Sequence, residues 1–103
     1  MSTITIGEKL RQIREEKELP LRKVASILDI DVAILSKMER GERKLTKEVV
    51  QKLAKIYQYQ ENELMVLFLS DKIVNELQGE DLSIDALKAA EEKIKYQNTK
   101  RKK

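Results

Sequence analysis

The chain has no cysteine, no histidine and no tryptophan. Their absence removes zinc fingers, thiol nucleophiles and histidine bases from the available chemistry, and no metal or cofactor is expected. Adjacent carboxylates occur at Glu15-Glu16 and Glu91-Glu92, but sequence neighbours on a helix point apart and make no catalytic pair. No phosphate-binding glycine loop accompanies them, so the chain is not expected to be an enzyme and no catalytic residue is assigned. The longest apolar run, Leu64–Leu69, spans six residues, far below the ~20 needed to cross a bilayer. The segment Met1–Gly7 lacks the charged and apolar regions of a signal peptide, and the lack of cysteine fits a reducing compartment. A cytoplasmic location with no membrane partner is expected.

Proline occurs once and glycine three times in 103 residues, so helices can run long. Apolar residues make up 41% of the chain and recur at helical spacing, which excludes disorder throughout. The length suits one domain with a modest core, which dimerisation would reinforce. Charge is unevenly spread. Residues 1–60 carry 13 Lys and Arg against 9 Asp and Glu, residues 61–92 carry 2 against 9, and residues 93–103 carry 6 against none. The first block suits a phosphate surface, whereas the second would be repelled by one.

The periodicity predicts six helices and an all-α fold. Ile6, Leu10 and Ile13 place a first helix over about 6–17. Leu21, Val24, Ala25 and Leu28 mark a second, entered at Pro20, which suits a first turn. A third follows the N-cap Asp31, carries Ile34, Leu35 and Met38 inward, and stops at Gly41. A fourth runs from Thr46 to about Tyr57, with Val49 or Val50, Leu53, Ala54 and Tyr57 buried. A fifth spans about Glu61–Leu77. Its run Leu64–Leu69 is apolar on every face, more than one small monomer can hide. Leu64, Met65, Leu67, Phe68, Ile73 and Leu77 are therefore expected to form a dimer interface, the alternative being that the following helix covers this surface. After a break at 78–81, Ser83 caps a sixth helix ending near Tyr96, with Ile84, Leu87, Ala90 and Ile94 on one face. Three parts result: a domain over 1–69, a helical extension over 70–96 for dimerisation or partner contact, and a flexible basic tail over 97–103.

Residues 20–45 are the most informative stretch. Two short helices separated by the tight turn Asp29-Ile30-Asp31 have the geometry that seats one helix in the DNA major groove. Arg40, Arg43, Lys44 and Lys47 lead out of the second of these helices and are candidates for phosphate contact, together with N–H groups at the start of the fourth helix.

The resemblance becomes specific over residues 6–57. The pattern Ile6-Gly7-x-x-Leu10-Arg11-x-x-Arg14-Glu15, Val24-Ala25, Ile34-Leu35-Ser36-Lys37-Met38-Glu39-Arg40-Gly41 and Leu53-Ala54-x-x-Tyr57 resembles the Cro/phage-repressor (Xre-like) helix-turn-helix family. The resemblance implies a compact five-helix, lambda-repressor-like DNA-binding domain, here with an additional C-terminal helix, that dimerises on a palindromic operator. It implies base contact by Val32, Ala33, Ser36 and Lys37. Lys37 can donate to guanine, and the two apolar side chains can pack on thymine methyls. That set is poor in hydrogen bonds, so indirect readout is expected as well. The resemblance also implies a structural ion pair between Arg14 and Glu39. Two positions depart from the family. Leu21 replaces a Gln that touches phosphate, leaving Arg22 and Lys23 beside it as candidates. Asp29 replaces a turn Gly, and Asp tolerates the left-handed conformation.

These readings converge on a bacterial, sequence-specific transcriptional regulator of double-stranded DNA. A homodimeric repressor or autoregulator is expected, of the kind found beside restriction–modification genes. The alternative is an antitoxin-like module whose C-terminal helix holds a toxin-like partner or RNA polymerase.

Overall fold

A computed structural model describes residues 3–101 as six helices: α1 (Ile6–Glu16), α2 (Leu21–Leu28), α3 (Val32–Glu39), α4 (Lys47–Tyr57), α5 (Glu61–Glu76) and α6 (Ser83–Arg101). No strand occurs among the described residues. The chain divides into two compact units, 1–72 and 73–103. This boundary lies within α5, three residues past the expected limit of the first part at 69.

Local chemistry sets the helix starts. At α1 the Thr5 hydroxyl accepts from Glu8 N–H at 3.1 Å, while the Glu8 carboxylate accepts from Thr5 N–H at 2.9 Å. This reciprocal capping box satisfies two donors that the first turn leaves free. A third, Ile6 N–H, donates to Asp71 Oδ2 at 2.8 Å, so α5 also caps α1. Asp31 accepts from Ala33 N–H at 3.1 Å, and Thr46 accepts from Val49 N–H at 3.2 Å. Both act as N-caps, as their side chains allow. Pro20 is the N-cap of α2, in extended conformation and with no side-chain cap; its carbonyl accepts the first helical hydrogen bond, from Val24 N–H at 3.3 Å.

The ends of α1 to α4 share one motif. Each closes through a left-handed residue, Glu18, Asp29, Gly41 or Gln58, with φ between 52° and 77°. In each case the next N–H bonds a carbonyl five residues back: Leu19 to Arg14, Ile30 to Ala25, Glu42 to Lys37 and Tyr59 to Ala54. These are Schellman closures, which commonly bring a hydrophobic residue down onto the helix just ended. Leu19, Ile30 and Tyr59 pack against the core in this way. At α3 the corresponding residue is Glu42, which is exposed.

The core of the first unit is built from one stripe of each helix. Leu10 and Ile13 of α1, Val24 and Ala25 of α2, Leu35 of α3, Val50, Leu53 and Tyr57 of α4, and Leu64 and Phe68 of α5 are all buried. Each large apolar side chain there contributes roughly 1.5–3 kcal/mol relative to exposure. Gly7 is needed for close approach. A Cβ at this position would lie 2.6 Å from the Met38 carbonyl oxygen and 2.7 Å from that of Glu39, so only glycine lets α1 meet the end of α3.

The structure corrects the reading of α5. Leu64 and Phe68 are spent in the chain's own core and leave no surface for a second copy. Met65 and Leu67 are half-buried against that core. The free apolar surface of α5 consists of Val66, Leu69, Ile73 and Val74, with Leu77 half-buried just beyond its end. In the second unit, Ser83 is the first helical residue of α6 and not its cap. Leu82 supplies the first carbonyl, accepting from Ala86 N–H at 2.9 Å. The same helix continues to Arg101, so residues 97–101 are helical where a flexible tail was expected. No breaker interrupts Tyr96–Arg101, and basic residues favour a helix C-terminus. The rest of that tail, 102–103, lies outside the described residues.

Candidate nucleic-acid interface

The recognition geometry begins at the α2–α3 turn. Asp29 adopts φ 59° and ψ 45°, the left-handed conformation that lets α2 stop and the chain turn into α3 within three residues. Asp31 then caps α3. Packing fixes the two helices against each other, with Val24, Ala25 and Leu28 facing Leu35 and Met38 within one buried cluster. The opposite face of α3 is free. Val32 is 42% exposed, Ala33 and Lys37 are exposed and Ser36 is partly so. The four expected base-facing residues therefore share one outward surface.

Arg14 and Glu39 hold α3 from behind. Arg14 Nε and Nη2 donate to Glu39 Oε2 and Oε1 at 2.8 and 3.1 Å, and Arg14 Nη1 donates to the Leu19 carbonyl at 2.9 Å. The side chains are only 12% and 6% exposed. The hydrogen bond to Glu39 raises the Arg14 guanidinium above its usual range, against the opposing effect of burial. The pair joins α1 to the end of α3 and does not face outward. Behind it stands Tyr57, fully buried, whose hydroxyl has no hydrogen-bond partner among the described residues. Burial first, and the nearby Glu39 charge second, push that hydroxyl far above its ordinary value.

The basic residues fall into two groups. Arg22, Lys23, Arg43, Lys44 and Lys47 are exposed and take no part in an ion pair among the described residues. They stand in the first turn of α2, in the α3–α4 loop and at the first residue of α4. Arg40 differs. Its Nε and Nη2 donate to Glu42 Oε2 and Oε1 at 3.0 and 3.1 Å, and its Nη1 donates to Ser36 Oγ. The sequence reading missed Glu42. The available signal was an acidic residue two positions from Arg40, inside an otherwise basic loop.

A helix with one face locked into a core and the other free, flanked by unpaired cations, has the form of a DNA-binding helix-turn-helix domain. The helix-turn-helix family matches residues 10–64, more than half of the chain. The chain belongs to this Cro/phage-repressor (Xre-like) family of DNA-binding transcription regulators. A comparison with curated proteins found no match. Among the described residues no helix is long and apolar enough to cross a membrane.

Proposed function

We propose that the protein is a sequence-specific repressor or autoregulator that binds a palindromic operator as a homodimer. One observation carries this reading: Val32, Ala33, Ser36 and Lys37 share the free face of α3, and exposed cations stand on the helix before it and in the loop after it. Seated in the major groove, the face would meet base edges, with Lys37 donating to guanine and Val32 and Ala33 packing on thymine methyls. Arg22, Lys23, Arg43, Lys44 and Lys47 would meet phosphates and supply salt-dependent affinity.

Dimerisation is supported by the apolar residues that α5 and the turn after it leave uncovered: Val66, Leu69, Ile73 and Val74, flanked by Met65, Leu67 and Leu77. Two copies joined there would present two α3 helices to half-sites about one helical turn apart. Control of a restriction–modification gene set is the form this reading takes in the cell. Selection from random duplexes tests it. An enriched palindrome at moderate salt is expected, and a folded protein that enriches none refutes it.

A second reading, an antitoxin-like module, is supported by the exposed Leu82, Ile84, Leu87 and Ile94 around α6. It requires α6 to gain amide-exchange protection when a partner protein is present, with no change on operator DNA.

A further inference from the structure

We propose that Arg40 reads a base edge in the major groove and that Glu42 positions it to do so; the proposal rests on the sequence-specific DNA-binding reading above. Arg40 is the C-cap of α3, and its N–H still makes the helical hydrogen bond to the Ser36 carbonyl at 3.1 Å. On a 3.6-residue repeat, Val32, Ala33, Ser36, Lys37 and Arg40 therefore fall along one stripe. The Arg40 side chain does not extend from the end of the helix towards the flanking backbone. Its Nη1 bonds the hydroxyl of Ser36, one turn nearer the helix N-terminus, which carries the guanidinium back over the base-facing residues.

Glu42 holds it there by both oxygens. Glu42 is itself anchored by α3, because its N–H donates to the Lys37 carbonyl at 2.8 Å in the closure made possible by Gly41. The carboxylate position is thus set by the recognition helix and not by a free loop. Arg40 and Glu42 shift each other in the expected directions, the guanidinium upward and the carboxyl downward, each mainly through their shared hydrogen bond.

Two consequences follow from the bonding. A guanidinium has five N–H donors, and three of them are engaged, leaving one on Nη1 and one on Nη2. Guanine offers two major-groove acceptors, O6 and N7, to such a pair of donors. Meanwhile the Glu42 charge offsets that of Arg40, so this side chain attracts phosphate weakly compared with the unpaired Arg43 and Lys44. The cluster favours discrimination over general affinity. It also supplies the bidentate donor that Val32, Ala33 and Ser36 lack.

The test compares full-length wild type, Arg40→Gln and Glu42→Gln. Each is characterised by thermal melting, by selection from random duplexes, and by the salt dependence of binding to one non-specific duplex. Arg40→Gln is expected to erase a guanine preference at one position of each half-site, a loss of about 10-fold or more in discrimination. Its non-specific salt slope stays that of wild type. Glu42→Gln is expected to weaken preference at that same position alone. Its slope steepens by about 0.9, because a released Arg40 meets one phosphate. The proposal is overturned if Arg40→Gln lowers affinity equally for all sequences and reduces the salt slope by one phosphate, or if Glu42→Gln leaves both readouts at wild-type values. A wild type that enriches no sequence overturns the proposal together with the functional reading. An enriched operator insensitive to Arg40 overturns this proposal alone.

Discussion

Arg14 and Glu39, 25 residues apart in sequence, meet in a two-pronged ion pair with hydrogen bonds of 2.8 and 3.1 Å. Both side chains are nearly out of reach of solvent. Removing one charge strands the other, because a buried ion without its partner loses Coulombic compensation but keeps its desolvation cost. Glu39→Gln should therefore destabilise the first unit by about 3–5 kcal/mol, measured by urea denaturation. Replacing both residues by Met should recover much of that loss. A melting temperature unchanged in Glu39→Gln would show that the pair holds nothing.

Gly7 lies on the other side of the same junction. A methyl group there would sit inside the contact distance of two backbone oxygens, which cannot rotate away as a side chain can. Gly7→Ala should force α1 and α3 apart at a cost of about 1–3 kcal/mol, although alanine is the better helix former. Chemical denaturation checks the sign. Stabilisation, as helix propensity alone would give, would refute the close approach.

The helix starts, the turn at Asp29 and the apolar stripes were legible because each rests on a local rule that one or two residues reveal. Thr46 and Asp31 cap as their chemistry dictates, and the ion pair followed from the family pattern. Other features depend on distant sequence. Leu64 and Phe68 read as surplus apolar surface because periodicity counts faces without showing what lies against each one. Leu64 and Phe68 of α5 belong to the same buried cluster as the stripes of the first four helices. Asp71 capping α1 links residues 65 apart, and no local pattern announces it. The Arg40–Glu42 fork was hidden differently: a charge run reads as a list of charges, whereas the fold decides which of them neutralise one another.

Three of the four left-handed helix ends carry residues other than glycine. A side chain in this conformation crowds its own backbone at a cost of about 1–2 kcal/mol, a cost that glycine avoids but partly returns as lost chain entropy. Glu18→Gly and Gln58→Gly should each stabilise the fold by a few tenths to about 1 kcal/mol, raising the melting temperature. Gly41→Ala should do the reverse by about 1 kcal/mol, although a Cβ there meets no neighbouring atom within 4 Å. Opposite signs at equivalent positions would isolate backbone conformation as the cause, since contacts cannot explain the Gly41 effect.

The free cations and the free face of α3 should separate in a binding experiment. Arg43 and Lys44 are exposed and unpaired among the described residues, so as phosphate contacts they carry affinity but no sequence information. Arg43→Ala or Lys44→Ala should weaken binding to every duplex alike and lower the slope of log affinity against log salt by about 0.9 each. Lys37 lies on the outward stripe of α3 and should behave differently. Lys37→Ala should relax preference at one position per half-site, at about 1–3 kcal/mol of discrimination, while non-specific binding changes little. Competition titrations at several salt concentrations, with selected and scrambled duplexes, measure both quantities together. If Lys37→Ala instead reproduced the uniform loss of Lys44→Ala, the outward face of α3 would be holding the backbone and not reading bases.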